Sequence, residues 1–103
     1  MIKSVGNKKF KTAVFISGTG SNLKNLIKFS LTNRSPIKIS LVISNNKKAK
    51  GLAFSKKNNI ESKVFNFTEK KIAETKILKC LKMKKIKLIC LAGFMKILSK
   101  TFI

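Results

Sequence analysis

Val14-Phe15-Ile16-Ser17-Gly18-Thr19-Gly20-Ser21-Asn22-Leu23 is the stretch whose reading decides the fold. A short, continuously apolar run stops at a Gly-x-Gly turn, and a helical pattern begins at Ser21. Strand, tight loop and helix N-terminus, in that order, aim backbone N–H groups and the positive end of a helix dipole at one point. That geometry suits a phosphate. Glycine also follows the first strand of α/β proteins that bind nothing there, so the flanking sequence has to decide.

Upstream, residues 1–10 form a basic leader with no apolar pattern. Lys11 to Ser17 is a strand whose Ala13, Val14, Phe15 and Ile16 run apolar without alternation, as in a strand buried on both faces. Downstream, Leu23, Leu26, Ile27 and Leu31 recur at helical spacing from Ser21 to near Asn33, before Pro36. Ile37 to Ser44 is a second strand closed by an Asn45-Asn46 turn. Lys48 to Asn58 predicts a weaker helix on Ala49, Leu52 and Ala53, with Gly51 counting against it.

Lys63 to Phe67 is a short third strand, with Glu61 just before it. Thr68 then caps a helix with Glu69 in its first turn and Ala73, Ile77, Cys80 and Leu81 on one face. Lys87 to Ala92 is a fourth strand, and Gly93 turns the chain toward Met95 to Leu98. Strands alternating with helices, with no hairpin signal, predict an α/β fold with a Rossmann-like parallel sheet and right-handed crossovers. In the order 3-2-1-4 the first and fourth strands are neighbours. The turns at Gly18–Gly20 and Gly93 then flank one crevice at the topological switch point, where such sheets bind ligands.

The charge is unusual: 24 Lys and Arg against three acidic residues, no His, and a net charge of +21. A nucleic-acid reading follows from phosphate neutralisation. Against it, the lysines are scattered along the chain, and eight Phe with no Tyr or Trp make a poor stacking set. The excess of Lys, Asn, Ile and Phe matches A/T-rich codons. Cys80 and Cys90 are too isolated for a metal or disulfide framework and read as buried thiols of a reducing compartment. The apolar run Leu88 to Met95 falls short of the ~20 residues of a membrane helix. Ala13 to Ile16 is too short for a signal peptide, so a cytoplasmic location is expected.

A dinucleotide fingerprint fits poorly, because Leu23 stands where the third glycine belongs and Ser44-Asn45-Asn46-Lys47 where an acid should hold the ribose. Lys47 and Lys48 could still meet a 2′-phosphate, so an NADP-type module stays open. No GxxxxGK run marks a P-loop. The remaining reading is a compact loop for one phosphate: Gly20 for close approach, Ser21 for a hydroxyl and cap, and Asn22 for another donor.

Phe15 to Leu23 together with Leu91-Ala92-Gly93-Phe94-Met95-Lys96-Ile97-Leu98-Ser99 resembles the phosphoribosylglycinamide formyltransferase family of purine biosynthesis. Val42-Ile43-Ser44-Asn45 and Gly51-Leu52-Ala53 sit where that family has similar segments. The resemblance runs from about residue 12 onward and covers the N-terminal half of the family's domain, assigning residues 11–103 to a truncated formyltransferase-type unit. It implies transfer of a formyl group from 10-formyltetrahydrofolate, a co-substrate, to the amine of glycinamide ribonucleotide, without a metal. Gly20, Ser21 and Asn22 would bind the ribonucleotide phosphate. Met95, Lys96, Ile97 and Leu98 would line the folate pocket, with Lys96 where the family usually has Arg, a point charge in place of a bidentate fork. Lys70, counted back without gaps from the Gly93 motif, aligns with a further folate-contacting Arg.

The family's proton-transfer groups are a His in an Asn-x-His-Pro motif after the fourth strand and a later Asp. This sequence has neither His nor Asp. The chain alone is therefore expected to catalyse nothing, as a fragment, a frameshift product or one piece of a split enzyme. A formyltetrahydrofolate hydrolase is the nearest rival, but it has no need of a phosphate loop. A four-stranded sheet of this kind should also expose an apolar edge.

Overall fold

The computed structural model describes residues 9–18 and 21–92. Strands and helices alternate as β1 (Phe10–Ile16), α1 (Ser21–Ser30), β2 (Ile37–Ser44), α2 (Gly51–Lys57), β3 (Glu61–Val64), α3 (Lys70–Met83) and β4 (Leu88–Leu91). The sheet order is β3-β2-β1-β4, and every pairing is parallel. This is the Rossmann-like order that the alternation predicts.

β1 is buried on both faces because helices cover both. Val14 and Ile16 pack with Leu23 and Ile27 of α1 and with Leu52 and Phe54 of α2. Ala13 and Phe15 point the other way, onto Ile77 and Leu81 of α3. Phe15, Ile16, Leu23, Leu41 and Ile77 are fully buried, and each contributes ~1.5–3 kcal/mol relative to an exposed position.

β2 buries both faces by a different device. Thr12 lies opposite Ile39 but Ala13 lies opposite Leu41, so Ser40 is an extra residue in the ladder. One inserted residue reverses the two-residue alternation. Ile37 and Ile39 therefore join the layer of Val14, whereas Leu41 and Ile43 join that of Phe15. Read as an unbroken strand, Ile37-Lys38-Ile39-Ser40-Leu41-Val42-Ile43-Ser44 would set Ile37, Ile39, Leu41 and Ile43 on one face. The Ser40 hydroxyl is buried with no hydrogen-bond partner among the described residues.

Several local expectations are corrected. α1 ends at Ser30, and Leu31 is 73% exposed rather than on the buried face. Hydroxyls close that end: Ser30 Oγ donates to the Ile27 carbonyl and Thr32 Oγ1 to the Phe29 carbonyl, each at 2.8 Å. α2 begins at Gly51, and its buried positions are Gly51 and Ser55, not Ala53. β3 starts at Glu61 and stops before Phe65, because its partners in β2 run from Leu41 to Ser44. All four of its side chains are exposed, so no apolar pattern marks it.

Phe65 and Phe67 instead leave the strand and pack against the Phe15 layer. Thr68 does not cap α3. Its N–H and hydroxyl both donate to Asn66 Oδ1, at 2.8 and 2.6 Å, and Glu69 holds the cap position without a side-chain bond. Cys80 and Cys90 are free and half-buried rather than buried. No described helix is long and apolar enough to cross a membrane.

Candidate functional site

The order of the strands reverses between β1 and β4. Phe15 pairs with Leu91, and the Ala92 N–H donates to the Phe15 carbonyl at 2.9 Å. The chain therefore leaves the sheet at two adjacent points, Ser17 and Ala92, each followed by a glycine. In open α/β sheets this is the crevice where ligands collect. Gly20 lies outside the described residues, as do Gly93 and the segment Met95, Lys96, Ile97 and Leu98.

The ends of β1 and β2 meet here. Ser17 is buried, and its hydroxyl donates to Asn45 Oδ1 at 2.5 Å, tying the end of β1 to the turn after β2. That turn is held by its own bonds. Asn46 N–H donates to Ser44 Oγ at 3.0 Å, and Lys48 N–H to Asn46 Oδ1 at 2.9 Å. The first N–H of α2, from Gly51, reaches the Gly18 carbonyl at 3.4 Å. A Cβ at Gly18 would meet nothing within 4 Å, so packing within the described chain does not require glycine there.

Ser21 and Asn22 open α1 and are both exposed. Ser21 is the first helical residue, one position past the cap expected of it. The first turn of α1 contains no acid, and its leading N–H groups have no partner within the helix. No acidic side chain within that first turn offsets the positive end of the helix dipole. Leu23 and Ile27 anchor the helix beneath this turn, and the Lys24 ammonium lies 5.7 Å from the centre of the Phe54 ring, fastening α1 to α2.

All three carboxylates of the chain are remote in sequence from this turn: Glu61 in β3, Glu69 before α3, and Glu74 buried on α3. Lys47 and Lys48 are exposed in the turn beyond Asn45. The structure thus gathers Ser21 and Asn22 beside the β1–β4 crevice. Lys70 stands exposed at the start of α3, on the helix that packs against the opposite face of the sheet. The sequence marks Asn45 as a turn residue, Gly51 as a weak point in a helix, and both as parts of segments similar to the family's, without a role at the site. Their part in bracing the glycine turn depends on contacts across 28 and 33 residues, which no local pattern displays.

A parallel Rossmann-like sheet with a glycine turn and an acid-free helix start at its switch point defines the class. The chain belongs to the formyl transferase family, whose pattern matches residues 10–103. It is 40% identical over 103 residues to the trifunctional purine biosynthetic protein adenosine-3 of Bos taurus, covering 97% of this chain and 10% of that protein. It is likewise 40% identical over 95 residues to phosphoribosylglycinamide formyltransferase of Haemophilus influenzae, covering 89% of this chain and 45% of that enzyme. Among solved structures, phosphoribosylglycinamide formyltransferase from Brucella melitensis superimposes with a TM-score of 0.87 at 38% identity. The match covers 92% of this chain and 51% of that one. The chain thus spans about half the length of the single-function relatives it matches.

Proposed function

We propose that residues 10–103, one residue more than the 11–103 read from the sequence because Phe10 pairs with Ile37 in β1, form the substrate-binding N-terminal half of a phosphoribosylglycinamide formyltransferase. Gly20, Ser21 and Asn22 hold the phosphate of glycinamide ribonucleotide. Met95, Lys96, Ile97 and Leu98 line the pocket of 10-formyltetrahydrofolate, and Lys70 is a further folate contact. The observation that supports this reading is the pairing of Phe15 with Leu91, which sets the described starts of the two family motifs side by side.

Formyl transfer forms a bond from the substrate amine to the formyl carbon and breaks the bond from that carbon to the folate nitrogen. A proton must leave the amine and reach the folate. The step also calls for donors to the developing oxyanion. These 103 residues contain no His and no Asp to carry the proton, so the chain binds substrates without turning them over. The remaining half of the domain supplies the proton carrier, and β4, paired only with β1 among the described residues, offers the edge on which it adds.

The test is a formyl-transfer assay on the chain alone and mixed with the C-terminal half of the Haemophilus influenzae relative. No turnover alone, turnover on mixing, and its loss with Gly20→Val are the expected results. Turnover by the unaided chain would overturn the reading, as would failure of a folded complementing half to restore any.

A further inference from the structure

β3 forms the other edge of the sheet, and α3 runs alongside it. The Phe65 N–H donates to the Ser44 carbonyl at 2.9 Å. By the two-residue alternation of a strand, the N–H and C=O groups of Ser62 and Val64 therefore face the open edge. A cavity of about 560 Å³ lies between β3 and the C-terminal part of α3. A second, of about 270 Å³, continues it toward the start of α3, and the two share Val64, Phe65 and Lys76. Together they make one groove along the free edge, flanked by a helix ~21 Å long.

The lining of this groove is divided. Val64 and Met83 are 43% and 75% exposed, and Phe65 and Cys80 are half-buried between them, giving an apolar floor. Lys76 and Lys79 project from the same helical stripe as Cys80 and Met83, and Lys63 and Lys84 close the far end. The lone carboxylate in the larger cavity, Glu61, is already bound by Lys84 and lies 3.8 Å from Lys63. Among the described residues no carboxylate pairs with Lys76 or Lys79.

We propose that this groove takes an extended acidic segment of another polypeptide, which adds to β3 as a further strand. Its backbone bonds to Ser62 and Val64, its alternate apolar side chains cover Phe65 and Met83, and its carboxylates meet Lys76 and Lys79. The backbone groups on one wall, without a strand partner among the described residues, favour a peptide over a small anion. A second copy of this chain is disfavoured because it would bring a second +21 charge against a cationic groove. This surface lies at the opposite sheet edge from the β4 edge and does not depend on the formyltransferase reading.

The experiment measures fluorescence anisotropy of a labelled octapeptide alternating aspartate and valine, titrated with the 103-residue chain. Saturable binding is expected, weakened about tenfold or more by Lys76→Glu with Lys79→Glu, the loss of charge-assisted contacts. Val64→Pro removes an N–H that β2 does not use and should weaken binding similarly. Should that variant misfold, the same octapeptide N-methylated on alternate amides tests the backbone bonds against the unaltered chain. Undiminished binding of both N-methylated registers overturns strand addition. So does equal affinity for four consecutive aspartates flanked by glycines, or full displacement by citrate, which would make the groove a small-anion site. No binding of the octapeptide, or a dimer by sedimentation that closes the groove, overturns the proposal as well.

Discussion

Ser17 and Asn45 end neighbouring parallel strands and are joined side chain to side chain, the Ser17 hydroxyl donating at 2.5 Å. The glycine turn therefore starts from a fixed point. Removing the donor strands a partly buried acceptor, which costs about 1–3 kcal/mol. Ser17→Ala should lower the unfolding free energy by an amount in that range in urea titration, and should weaken glycinamide ribonucleotide binding in calorimetry. Unchanged stability and affinity would show that the bond constrains neither fold nor turn.

Ser40 predicts a change of opposite sign. Its buried hydroxyl has no partner among the described residues, so deleting that oxygen relieves a desolvation cost. Ser40→Ala should raise stability by about 1 kcal/mol, read as a higher urea midpoint at unchanged slope.

Helix α1 separates two leucines that share a sequence pattern. Leu23 is fully buried and Leu31 is 73% exposed. Leu23→Ala should cost about 2–5 kcal/mol, while Leu31→Ala should stay within about 0.5 kcal/mol. Thermal melts of the two variants side by side decide the matter.

The pair Glu61–Lys84 sets a pH window. The hydrogen bond from Lys84 holds the Glu61 carboxyl below its ordinary value of 4.5, and the same bond holds Lys84 above 10.5. A depressed carboxylate pKa gives stability that is present above the unfolded value and lost as pH falls through the folded one. A raised ammonium pKa gives stability present below 10.5 and lost as pH rises through its folded value. Both groups are partly exposed, so salt should reduce the effect. Glu61→Gln should flatten both limbs of the melting temperature against pH, and identical profiles for the two proteins would refute the coupling.

β4 exposes Leu88, Ile89 and Leu91 along an edge with no further strand among the described residues, the apolar edge expected from the sequence. Such an edge templates association. Light scattering of the chain should rise with concentration, and Ile89→Lys should suppress that rise without altering the circular dichroism.

Much of this architecture is legible in the sequence because burial on both faces leaves an unbroken apolar run in β1, and because β2 is rich in β-branched residues. Its bounds, Ile37 to Ser44, match the expectation. β3 is misplaced because all its side chains are exposed, and Phe65 and Phe67 imitate a strand while packing from a loop. Leu31 keeps helical spacing after the helix has ended. At the candidate site, the start of α1 at Ser21 and Asn22 is legible from the Gly-x-Gly sequence that precedes it. The bracing by Asn45 and Gly51 is not, because it exists only once the strands are side by side.

The extra residue at Ser40 marks where β2 can change length. Four positions further along β2 stands Ser44, then Asn45, whose side chain must arrive on Ser17. Deleting Ser40 would restore a regular ladder and leave composition almost untouched. It would leave Ile39 opposite Thr12 and Leu41 opposite Ala13, so Leu41 to Ser44 would keep their faces and Asn45 would still arrive on Ser17. Loss of Val42 would instead carry Ile43 and Ser44 to the opposite face, so β2 should tolerate shortening at Ser40 and not beyond it.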